Sequence, residues 1–71
     1  MDIFLKHQLR IARNTLKLSE VGASILGGMT IPEAIFLLHR NGWSIFKLIT
    51  TLQEQGHSTQ DIDRLITESK L

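Results

Sequence analysis

The chain has 71 residues, 42% of them apolar, a formal charge of +1 and no Cys. A chain this short buries only about 60% of its unfolded surface, so one small helical domain spanning residues 1–71 around a thin core is expected. The missing Cys excludes disulfides, thiolate metal ligands and cysteine nucleophiles and suits a reducing, cytoplasmic setting, while no stretch approaches the roughly 18 apolar residues of a membrane span.

The first helix is expected over residues 2–17. At about 100° per residue, Leu5, Leu9, Ala12 and Leu16 share one narrow stripe, which is the core-facing side. Lys6, Arg10, Arg13 and Lys17 form a second stripe beside it, within about 60° of one another. Set against Asp2, they give residues 1–18 a charge of +3 and leave −2 for the rest of the chain. Like charges one turn apart repel, so four cations with no interspersed Glu read either as a solvated face or as a contact surface for an anionic partner.

A short second helix over residues 20–27, capped by Ser19 and carrying Val21, Ile25 and Leu26, is diluted by Gly22, Ala23, Gly27 and Gly28. An unbroken first helix reaching Leu26 is the alternative, since one Gly does not exclude it. The third helix, residues 31–41, opens on Thr30 and Glu33 as a capping box with Pro32 in the first turn. It buries Ile31, Ala34, Ile35 and Leu38, and Phe36 and Leu37 widen its apolar arc, which makes it the central helix. The fourth, residues 45–55, has the stripe Ile45, Leu48, Ile49 and Leu52, with Phe46 off it. The fifth, residues 59–69, is amphipathic through Ile62, Leu65 and Ile66, and Asp61 in its first turn favours the helix dipole.

Three triplets punctuate these segments: Gly28-Met29-Thr30, Gly42-Trp43-Ser44 and Gly56-His57-Ser58, each 14 residues from the next. In each, Gly leaves a helix in the left-handed conformation, the middle residue covers the turn, and Ser or Thr caps the following helix. Gly42 and Gly56 are therefore expected at positive φ, with Trp43 against Leu38 and Leu48 and His57 against Leu52 and Ile62. Nothing alternates with period two, so the fold class is all-α: a small bundle of four to five short helices joined by tight Gly-X-Ser/Thr turns.

No catalytic, cofactor-binding or metal site is expected, and the chain does not read as an enzyme. His7, His39 and His57 lie on three different segments without metal-ligand spacing, and no G-x-S-x-G or P-loop occurs. Glu20, Glu33, Glu54, Asp61, Asp63 and Glu68 fall on polar faces or at caps. The candidate protein-binding set is Phe36, Arg40, Trp43 and Phe46: the first three fall at i, i+4 and i+7, and interface hot spots favour aromatic and Arg residues. The competing reading is that so small a core simply recruits its few large rings. These features describe a non-enzymatic protein-binding module, a regulator or inhibitor that occupies a partner surface, with a homodimer through the same patch as a variant. The alternative is a nucleic-acid binder using the basic stripe Lys6, Arg10, Arg13 and Lys17 or a helix-turn-helix at residues 48–65.

Three families are resembled. With residues 31–41 as first helix, Gly42-Trp43-Ser44 followed by Leu48, Ile49, Leu52, Ile62 and Ile66 resembles a ubiquitin-associated (UBA-like) domain over residues 31–68. That resemblance implies a three-helix unit whose Gly-aromatic loop and last helix contact partner proteins. Leu52, Gly56, Ser58, Ile62 and Leu65 are similar to a resolvase-type helix-turn-helix, which would send residues 58–67 into the major groove, although Asp61 and Asp63 would there face phosphates. Leu26-Gly27-Gly28-Met29-Thr30 with Ala34 resembles a helix-hairpin-helix, with Thr30 where that family has its second Gly.

Overall fold

The structure, a computed structural model, describes residues 3–19, 22 and 29–71. The chain is all-α over these residues, with α1 at Ile3–Thr15, α2 at Ile31–Arg40, α3 at Ile45–Glu54 and α4 at Thr59–Glu68. The helix expected over residues 20–27, and the Gly28 turn with it, lie outside the described residues. None of the described helices is long and apolar enough to cross a membrane.

α1 stops short of the expected residue 17, and an unbroken first helix to Leu26 is ruled out. After Leu16 N–H bonds Ala12 C=O at 3.2 Å, Lys17 and Leu18 donate to Asn14 and Thr15 carbonyls three residues back, each at 3.0 Å. That switch from i−4 to i−3 partners tightens and ends the last turn. The buried Thr15 hydroxyl donates to Ile11 C=O at 2.8 Å, a local bond that satisfies the hydroxyl inside the core. Beyond the turn, Ser19 Oγ accepts from Gly22 N–H at 3.0 Å, the bond an N-cap makes to the third helical residue.

The later helices each have ten residues and begin 14 apart, as the triplets require. Thr30, Ser44 and Ser58 sit in extended backbone and accept from the N–H groups of Glu33, Lys47 and Asp61 at 3.3, 3.1 and 3.1 Å. Gly42 and Gly56 have φ of 110° and 93°. Around them Trp43 N–H donates to Leu38 C=O at 3.0 Å and Gly42 N–H to His39 C=O at 3.2 Å, and His57 and Gly56 repeat this on Leu52 and Gln53. These paired bonds define the Schellman motif, which satisfies carbonyls that a helix end otherwise leaves open. At the end of α4 the left-handed position is held by Lys70, with φ 59° and its N–H on Thr67 C=O at 3.2 Å.

α2 is the central helix, packed on α1 most extensively and also on α3 and α4. Its Ile31, Ala34, Ile35 and Leu38 meet Ala12 and Leu16 of the first segment, Leu48 and Leu52 of α3, and Ile62 and Leu65 of α4. The first-helix stripe is covered unevenly, because Ala12 and Leu16 are fully buried while Leu5 and Leu9 are only half-buried. α3 likewise enters the core from its second turn, so Ile45, expected on the core stripe, is 42% exposed. The core is aliphatic throughout: the chain's three Phe residues, Phe4, Phe36 and Phe46, are 68%, 42% and 80% exposed.

Gly42→Ala and Gly56→Ala are expected to destabilise by about 1 to 2 kcal/mol each, wholly through the backbone, since an added Cβ would meet nothing within 4 Å. Lys70→Gly should move the other way, gaining roughly 0.5 to 1 kcal/mol by relieving the same strain. Urea midpoints at constant slope read all three, and a neutral Gly56→Ala would contradict the turn geometry. In the core, Leu48→Ala should cost about 2 to 5 kcal/mol while Phe46→Ala, two residues away, stays within about 0.5 kcal/mol. Thermal melts of the two variants check that contrast.

Candidate partner-binding surface

The spacing that joins Phe36, Arg40 and Trp43 in sequence counts Trp43 as though α2 continued. It does not: the helix ends at Arg40 and the chain reverses at Gly42. In a Schellman turn the residue after the Gly covers the one three before the cap, which here is Leu38, about 200° around the helix from Phe36. Trp43 accordingly packs half-buried against the core cluster containing Leu38. Its carbonyl accepts a hydrogen bond from His39 Nδ1 at 3.0 Å, so that nitrogen carries the hydrogen, and Lys47 Nζ stands 4.2 Å from the ring centroid.

Two separate grooves result. Phe36 lines a wide one of about 820 Å³ with Met29, Pro32 and Leu37 of the α2 side and Ser69 and Lys70 beyond α4. Trp43 lines a narrow one of about 240 Å³ with Lys6, Leu9, Arg13, Leu38 and Asn41. Arg40 is exposed and lines neither, and Phe46 projects from the first turn of α3 next to Ile45. The four residues of the candidate set are all accessible at least in part, but the structure does not gather them around one concavity.

The cationic stripe is exposed at Lys6, Arg10, Arg13 and Lys17, although Lys17 falls in the turn after α1 rather than on it. Among the described residues none of the four has a carboxylate partner, and the ion pairs present join Arg64 to Asp61 at 3.8 Å and to Glu68 at 3.0 Å. Lys6 and Arg13 line the Trp43 groove on one side and a third groove, of about 430 Å³, with Ile3, His7 and Arg10 on the other. The stripe is therefore a cationic ridge with an apolar trough beside it. This juxtaposition of Trp43 with Lys6 and Arg13 is what the linear reading missed, and its one sequence signal is the Leu38–Trp43 offset across Gly42.

On α4, the exposed cation Arg64 is held between its own two carboxylates. His7 lies on α1, His39 on α2 and His57 in the α3–α4 turn, and the described residues contain no group of three His, Asp or Glu side chains placed to hold a metal ion. Comparisons of the chain with protein-family models, with curated proteins and with solved structures give no match.

Proposed function

We propose that the chain is a non-enzymatic protein-binding module that acts in the cytoplasm by occupying a surface of a larger partner, as a regulator or inhibitor. The observation that carries this reading is the placement of the Phe residues. Burying one such ring is worth about 1.5 to 3 kcal/mol, and a core this small would be expected to take every ring available. Here the core is filled by Leu, Ile and Ala, and all three Phe face outward. A lone exposed ring needs no explanation, but Phe46 stands beside exposed Ile45, and Phe36 lines a groove of about 820 Å³. Rings on rigid helices are the groups from which interface hot spots are made.

The UBA-like resemblance agrees in kind, since it implies partner contacts at the Gly42-Trp43 loop and on the last helix. A second reading, nucleic-acid binding, is favoured by one observation, the stripe of Lys6, Arg10, Arg13 and Lys17, which has no carboxylate partner among the described residues.

Phe36→Ser and Phe46→Ser should leave melting behaviour close to wild type and abolish partner capture, or self-association if the partner is a second copy, as read by affinity capture and sedimentation. Full retention of capture in both variants would overturn the protein-binding reading. Binding to heparin that weakens steeply between about 50 and 200 mM salt, with no protein capture, would put the nucleic-acid reading in its place.

A further inference from the structure

We infer that the groove between α1 and the α2–α3 turn takes an acidic segment of the partner protein, one apolar side chain seated on the half-buried Leu9 and Trp43, above Leu38, and carboxylates on Lys6 and Arg13. This rests on the protein-binding reading above and adds the chemistry of the partner. Lys6 and Arg13 are seven residues apart on α1, about 10 Å along its axis. Acidic groups two helical turns apart match that separation, and the apolar residue between them lies over the trough. At about 240 Å³ the groove is below the roughly 300 to 1,000 Å³ of small-molecule pockets. It holds an anchoring side chain, not a cofactor.

Charge selects the occupant. No carboxylate among the described residues neutralises Lys6, Arg10, Arg13 or Lys17, and Lys47 adds a further cation at the Trp43 ring. The groove is thus electropositive around an apolar floor, the complement of an acidic amphipathic segment. Single-stranded nucleic acid fits less well. Base stacking needs an open aromatic face, whereas Trp43 packs into the core on one part and carries the Lys47 ammonium over its ring.

The test uses the full chain and a labelled synthetic helical peptide in which Glu residues seven apart flank a central Leu. Its companions are the same peptide with Glu→Gln, the same with Leu→Ser, and an oligothymidylate of equal charge. The acidic Leu peptide should shift the Trp43 indole N–H resonance and the Leu9 and Leu38 methyls, and both altered peptides should bind at least about tenfold more weakly. Lys6→Gln with Arg13→Gln, both exposed and so not needed for the fold, should weaken the peptide about tenfold, whereas Lys17→Gln should change it by less than about twofold. An oligothymidylate that binds as tightly, or an acidic peptide that leaves Trp43 unmoved, overturns the inference. If that happens while Phe46-dependent capture persists, the acidic-segment assignment alone falls. Loss of the Phe46 dependence is the separate failure of the functional reading.

Discussion

The bond from Trp43 N–H to Leu38 C=O, made across a glycine at φ 110°, is the constraint on which the rest of the molecule depends. It ends α2, reverses the chain and delivers Ser44 to cap α3 in one step, and the same device at Gly56 sets α4 in turn. Because the turn has no spare residue, the direction of each helix follows from the end of the one before. The central position of α2 is a consequence: it lies between α1 and the two helices that the turns fold back onto it. Side chains at the turns act as covers over the core edge, which is why the single Trp is half-buried there.

An aliphatic core has a cost in reach and a gain in adaptability. Ile, Leu and Ala fill the short distance between ten-residue helices without the ring geometry that would force the helices apart. The three Phe rings then occupy the outside, where they offer large apolar area at little rotamer entropy. The polar groups that do enter the interior are closed locally, Thr15 on Ile11 C=O and Ser69 on Ile66 C=O, so that no buried side-chain polar atom among the described residues lacks a partner. The interior therefore has only to hold the helices at fixed angles.

The starts of α2, α3 and α4 were legible because Thr30, Ser44 and Ser58 cap by short-range bonds that the sequence displays as Gly-X-Ser/Thr. The end of α1 was not, since no Gly or Pro marks it: the helix closes through i−3 bonds from Lys17 and Leu18, after the Thr15 hydroxyl has turned back to Ile11 C=O. Which part of an apolar stripe is covered was also hidden: Ile45 and Leu48 belong to one stripe, and only the position of α2 and α4 decides that Leu48 is inside and Ile45 is not. The candidate surface divided for a related reason. Helical spacing holds only while the helix does, so Phe36 and Arg40 remained neighbours on α2 while Trp43 crossed to the side of Lys6 and Arg13.

The ten-residue length of the last three helices bears on how the molecule assembles in time. Isolated helices shorter than about 12 to 15 residues are marginal in water, so no one of them persists until another packs against it. Nucleation must then involve at least a pair, and the turns present that pair as immediate neighbours in the chain, with almost no loop to close. The α1–α2 packing, the most extensive in the fold, has residues 16–30 to close and follows that local step. The transition state is expected to hold one complete turn, with its glycine already in the left-handed conformation and two helices clasped around it.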